Sequence, residues 1–196
     1  FPYTTLFRST TENKKITNIV FMGMGEPFLN FENVINVCKI LTSHYGFAFA
    51  AHRITISTAG LTPEIRKFAD LPIKIELAVS LNAVDDITRS KIMPINKKYN
   101  LDDLCQAIEY YNHQRPKQQC TCEYVMLAGI NDDENSLRKL IKLARRLNCK
   151  INLIKFNKTS FTAFQPSDDK RLDYFFEELN RNNVRAIIRR SKGANI

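Results

Sequence analysis

The sequence predicts an α/β chain of parallel βα units curled into a partial barrel, and two patterns carry that expectation. First, short apolar and β-branched runs alternate with longer amphipathic stretches throughout the chain past residue 16. This is the rhythm of parallel strands joined by right-handed helical crossovers. Second, the strands have polar faces. In residues 75–82 one face is Ile, Leu, Val, Leu and the other Glu, Ala, Ser, Asn, and in residues 53–58 one face carries Arg, Thr and Ser. A period of two collects these groups on one side of a sheet. A solvent-facing antiparallel sheet alternates in the same way, but helical crossovers require both faces to be covered. The polar face therefore suits the lumen of a wide barrel better than it suits an open sheet.

Each element has its own signal. Residues 16–24 form a β-branched run ended by Gly25, and residues 31–43 follow Asn30 with Phe31, Val34, Ile35, Val37, Cys38 and Leu41 at helical spacing. A strand is expected over 53–58, closed by Ala59-Gly60, and a short helix over 63–70 with Thr62 as its N-cap and Pro63 at its first position. A third strand spans 75–81, and a helix opened by Asn100 covers 101–112. Strand 122–127 precedes helix 134–147, strand 150–156 precedes a helix over 169–182 rich in Phe, Tyr and Leu, and strand 184–189 closes the series. No second core and no low-complexity linker is visible, and 196 residues suit one domain.

Composition narrows the function classes. With 44% apolar and 25% charged residues, wholesale disorder is excluded. No apolar run approaches the length of a membrane-spanning helix. The start has neither an initiator Met nor the basic-then-apolar layout of a signal peptide. Five scattered cysteines read as reduced thiols of a cytoplasmic protein rather than a disulfide frame. The formal charge of +9 favours a polyanionic partner such as nucleic acid, or is a plain solvated surface.

Chemistry-bearing residues gather at the expected carboxyl ends of strands, where α/β proteins place their sites. Gly23-Met24-Gly25-Glu26-Pro27 offers close backbone approach and a carboxylate suited to an ammonium or a hydroxylated ligand; it lacks the Lys-Ser/Thr of a phosphate loop. Ser57-Thr58-Ala59-Gly60, Ser80-Leu81-Asn82-Ala83 and Asn157 occupy equivalent ends, and in a barrel they converge on one mouth, although each alone also reads as a cap or turn residue. Met93-Pro94-Ile95-Asn96-Lys97-Lys98-Tyr99-Asn100 could grip a phosphate backbone, as could Arg185, Arg189, Arg190 and Lys192, or these are solvated faces. Cys120 and Cys122 lack a second pair to complete a metal site and read as small core residues, and Tyr124 and Met126 as core.

Six motifs, in order, resemble the radical S-adenosylmethionine (SAM) RNA methyltransferases of the RlmN/Cfr type: the Gly23–Pro27, Ser57–Gly60 and Met93–Tyr99 segments, together with Leu77-Ala78-Val79-Ser80-Leu81-Asn82-Ala83, Glu123-Tyr124-Val125-Met126-Leu127 and Lys150-Ile151-Asn152-Leu153-Ile154. The resemblance covers residues 14–196. It implies a partial radical-SAM (β/α) barrel with outer helices, truncated at its first strand, that binds SAM and a 4Fe-4S cluster. It further implies methylation of carbon 2 of an adenine in 23S ribosomal RNA and in some transfer RNAs, through a methyl-cysteine intermediate, with one SAM as methyl donor and another as radical source. Carbon-8 methylating relatives share much of the pattern, and a catalytically silent RNA-binding remnant is the rival from another class. Carried over by position, Gly25 and Glu26 would hold the methionyl amino group, and Ser57, Ser80, Leu81, Asn82 and Asn157 would complete the SAM pocket. Asn82 stands where some members have His, and Lys155 and Lys158 replace prolines common around Asn157.

The departures are as informative. The family's Cys-x3-Cys-x2-Cys cluster motif, its methyl-carrying cysteine and the resolving cysteine have no counterpart among the five cysteines present. The expectation is therefore a piece of such an enzyme, inactive by itself, whose cluster ligands and reductant-protein partner belong to a longer chain. Phe1 to Ser9 resemble a translated adapter sequence, so residues 1–10 are expected to be a non-native leader. A barrel open at its first strand exposes a sheet edge, which predicts poor solubility.

Overall fold

The computed structural model describes residues 16–158 and 162–189. Within them, six strands form one sheet: β1 (Ile19–Phe21), β2 (Ile54–Thr58), β3 (Glu76–Ser80), β4 (Thr121–Met126), β5 (Lys150–Lys155) and β6 (Ala186–Arg189). Their order in space is their order in the chain, and every neighbouring pair is parallel. Helices α1 (Phe31–Thr42), α2 (Thr62–Ala69), α3 (Asp86–Ile92), α4 (Leu101–Gln114), α5 (Glu134–Leu147) and α6 (Asp169–Arg181) fill the crossovers. The sheet is curled: Arg189, on the last strand, brings Nη1 within 3.3 Å of Met22 Sδ, just past the first. Among the described residues no helix is long and apolar enough to cross a membrane.

The convex face of the sheet is the core. Ile54, Ile56, Leu77, Val79, Cys122, Tyr124, Met126, Ile151 and Leu153 are fully or almost fully buried and pack with helix residues such as Ile65, Phe68, Leu104, Ile108, Leu140 and Phe175. Each such side chain contributes on the order of 1.5–3 kcal/mol by leaving water. Alternate residues of the same strands face inward, so the polar faces expected from the sequence line the concave side.

Helix boundaries follow side-chain caps. Asp85, Asp133 and Asp168 accept N–H bonds from Thr88, Ser136 and Arg171 at 2.8, 2.8 and 2.6 Å, and Asn100 with Asp103 makes a capping box. Three expectations shift. The N-cap of α2 is Leu61 with no side-chain bond, and Thr62 lies inside the helix. Strand β1 is three residues long, because the chain turns away through Gly23 and Gly25 at φ 137° and 109°. The stretch between β3 and α4, read as a loop, holds α3 and a 3₁₀ turn at Pro94–Lys97. The expected leader over residues 1–10 and the basic residues Arg190 and Lys192 lie outside the described residues.

Candidate functional site

The carboxyl ends of β1, β2 and β3 meet through one carboxylate. Gly25 has a φ of 109° and nothing within 4 Å of where a Cβ would stand, so a ligand can approach its backbone. Next to it, Glu26 accepts from its neighbour Phe28 N–H through Oε1 (3.0 Å) and from Ala59 N–H through Oε2 (2.7 Å). The first bond opens a 3₁₀ turn over Pro27–Asn30, and the second ties the end of β1 to the end of β2. Sheet register pairs Thr58 with Val79, which brings Ala59 level with Ser80. Glu26, Ser57 and Ser80 thus share one mouth, as the sequence predicts.

A buried arginine fastens this mouth from behind. Arg89, on α3, is 0% exposed. It donates to the carbonyls of Leu81 (3.1 Å), Ala59 (2.9 Å) and Ser80 (3.1 Å) and to Asn96 Oδ1 (2.9 Å). Burial pulls its guanidinium down to about 10, with Asp86 opposing, which still leaves it charged at neutral pH. Asn96 in turn donates to Asp86 Oδ1 and Ser90 Oγ. The Met93–Tyr99 segment therefore serves the inside of the protein through Asn96, while Lys97 and Lys98 stay exposed. Gly60 is required here: a Cβ would meet Leu104 Cδ1 at 3.0 Å and Arg89 Nη2 at 3.2 Å.

Asn82 and Leu81 are engaged within the protein. Asn82 has a left-handed φ of 55° and accepts from Val125 N–H through Oδ1 (2.9 Å). Its carbonyl accepts from Asn131 Nδ2 (2.8 Å), which also donates to the Val125 carbonyl (2.8 Å). This network holds the end of β3 against β4. Leu81 has a buried side chain, an N–H donated to the Glu123 carbonyl (2.9 Å) and a carbonyl bonded by Arg89. Asn157 lies two residues past β5 and is exposed, as is Lys158.

The sequence reading missed the inward wall. Glu123, on β4, is 4% exposed. Ser57 Oγ–H donates to its Oε2 at 2.7 Å, reaching across β3 over the small Ala78 that pairs with Ser57. Arg189 Nη1 approaches Oε1 from β6 at 3.9 Å. Asn152, the register partner of Glu123 on β5, is 7% exposed, and its Oδ1 has no hydrogen-bond partner among the described residues. The available signal was the alternation in residues 121–126, where Thr121, Glu123 and Val125 oppose the buried Cys122, Tyr124 and Met126. Arg89 left no signal, because its partners are main-chain carbonyls distant in sequence.

The five cysteines are all buried. Burial pushes the Cys38 and Cys105 thiols up to about 11. Cys122 is raised, first through its contact with Cys120, and Cys149 through its contact with Cys122. Such thiols are poor nucleophiles. Among the described residues no group of three His, Cys, Asp or Glu side chains converges to hold a metal ion.

Comparison with known proteins adds the following. A family model described as the Radical SAM superfamily matches residues 6–153. The dual-specificity RNA methyltransferase RlmN of Wigglesworthia glossinidia brevipalpis is 41% identical over 191 residues, 96% of this chain and 50% of that protein. The protein of the same name from a Nitratiruptor species is 41% identical over 184 residues, 94% of this chain and 51% of that one. The crystal structure of a radical SAM methyltransferase from Sphaerobacter thermophilus superposes with a TM-score of 0.92 at 37% identity, covering 98% of this chain and 56% of that chain. The chain spans about half the length of the curated relatives it matches.

Proposed function

Because the chain belongs to the radical SAM superfamily, we propose that its barrel mouth binds S-adenosylmethionine and that the protein acts in the cytoplasm as an RNA methyltransferase on carbon 2 of an adenine, in 23S ribosomal RNA and in transfer RNA. The observation that carries this reading is the Glu26 carboxylate, held by Ala59 N–H beside the unobstructed Gly25 backbone and level with Ser57 and Ser80.

The residues fit SAM. A carboxylate of this kind takes an ammonium by a charge-assisted hydrogen bond. Each Glu26 oxygen accepts one N–H and keeps a second lone pair for a ligand. The orphaned Asn152 Oδ1 on the lumen wall asks for a donor. When bound, SAM supplies a methyl group and the superfamily's radical chemistry; Glu26, Ser57 and Ser80 orient it, and Arg89 keeps their strand ends in register.

The superfamily implies a 4Fe-4S cluster as well, and the residues present do not fit one. The five thiols are buried apart from the mouth and converge on no three-ligand group among the described residues. In this reading, cluster binding, the reductant protein that serves it and the methyl-carrying cysteine belong to parts of the relatives that this chain does not align with, and no step is assigned to them here. RNA as the partner is supported by the +9 charge and by exposed Lys97, Lys98, Arg138, Lys139, Lys142 and Arg185.

Equilibrium dialysis of the chain with SAM tests the site. The wild type binds, and Glu26→Gln weakens binding at least about tenfold, the loss of a charge-assisted contact. Equal binding by both proteins overturns the assignment. For the reaction, mass spectrometry of adenosines from cells carrying the intact gene yields 2-methyladenosine; 8-methyladenosine in its place assigns the carbon-8 reaction instead.

A further inference from the structure

The inward wall next to the mouth carries three hydrogen-bonding side chains that no motif assigns together. Register places Ser80, Glu123, Asn152 and Ile187 side by side on β3 to β6, and Ser57 of β2 reaches the same point. Their hydrogen-bonding capacity is one-sided. Ser57 has a single hydroxyl proton and gives it to Glu123, which leaves it only lone pairs for anything else. Glu123 accepts at Oε2, and at Oε1 meets Arg189 only at 3.9 Å, longer than a hydrogen bond. Asn152 Oδ1 is buried without a donor. Two other buried polar atoms lack partners, Glu64 Oε2 and Tyr111 Oη, and they lie on α2 and α4 in the helical layer. Asn152 alone aims its orphan into the lumen.

A wall of acceptors calls for a ligand group made of donors. The ammonium is already matched at Glu26. What remains on a nucleoside of this type is the vicinal pair of ribose hydroxyls, and a carboxylate on a strand of an α/β sheet is the usual partner for a ribose hydroxyl. We propose that Ser57, Glu123 and Asn152 form the ribose subsite of the mouth, with Glu123 at its centre taking the 2′- and 3′-hydroxyls, flanked by the Asn152 carbonyl oxygen and the lone pairs of Ser57. Arg189 closes this subsite. Its guanidinium lies between Met22 and Glu123, and its side chain is 51% exposed, so it turns outward into solvent to admit the sugar. The subsite rests on the SAM reading above and adds three residues with a defined task.

The test uses two nucleosides that lack the ammonium and carboxylate, 5′-methylthioadenosine and its 2′-deoxy analogue, with binding to the chain followed by calorimetry. The wild type prefers the ribose compound by about tenfold or more, the effect of a hydrogen bond to a charged group. Glu123→Gln brings that ratio to within about threefold, and Asn152→Leu lowers it in the same direction. Glu26→Gln weakens SAM but leaves the ratio intact. Circular dichroism melts confirm that each variant is folded. If Glu123 merely props up Ser57 and Arg189, Glu123→Gln weakens both nucleosides equally and keeps the ratio, which overturns the subsite. A wild type that binds SAM without distinguishing the two nucleosides overturns it too. A wild type that binds neither SAM nor the nucleosides removes the SAM reading along with it.

Discussion

Arg89 is the residue on which the mouth depends most. It is fully buried and supplies donors to four acceptors from three segments of chain. Replacing it with a side chain of similar length and no donors, Arg89→Met, strands the carbonyls of Ala59, Ser80 and Leu81 in a dry environment. Breaking such a buried charged network costs on the order of 3–5 kcal/mol. The urea midpoint of the variant is expected to fall accordingly; a loss under about 1 kcal/mol would show that the clamp is ornamental. At this scale the sequence was partly legible. Glu26, Ser57 and Ser80 were readable because they stand at strand ends whose positions follow from periodicity. Arg89, Glu123 and Asn152 were not, because a lone charged or amide residue in sequence looks like surface until the sheet curls around it.

Helices and strands were legible where hydrophobic spacing and a cap agreed. Helix α5, with an acidic cap and leucines recurring along one face, has the expected limits, Glu134–Leu147. Helix α3 was invisible because seven residues with one buried side chain offer no periodicity to read. Its cue was only Asp85, a cap without an apolar stripe behind it. The cap of α5 gives a pH-dependent test. Asp133 is held below the usual carboxylate range, first by the Ser136 backbone N–H. A carboxylate lowered on folding contributes stability above its unfolded value, and that contribution is lost as pH falls through the folded one. Asp133→Ala should therefore cost about 1 kcal/mol at neutral pH, and the difference from wild type should shrink on titration below about pH 4. Thermal melts at pH 7 and pH 3 measure it; a constant difference would contradict the cap's charge dependence.

For the whole molecule, the curled parallel sheet was legible from alternation alone, whereas the state of its edge was not. One side of β1 pairs with β2 and the other carries a cavity of about 830 Å³ lined by Val20, Met22, Val34, Val37, Leu41, Phe47 and Phe49. Val20 and Met22 are 46% and 37% exposed. An apolar strand edge of this kind promotes association. The chain alone is expected to self-associate with rising concentration, and Val20→Lys to suppress this, as measured by sedimentation velocity. A wild type that stays monomeric at high concentration would count against the exposed edge.

Strand order equal to chain order also bears on how the molecule is assembled. Each strand after the first docks on the one made just before it, so pairing never waits for a distant segment, and loop closures stay close to the span of one crossover. Such a sheet can grow while the polypeptide is still being synthesised, each new helix covering the strand already laid down. The mouth matures in the same direction. Glu26 finds Ala59 early, Arg89 locks the first three strand ends next, and Glu123 and Asn152 arrive afterwards to complete the wall. Arg189, at the far end of the sheet, closes over it last.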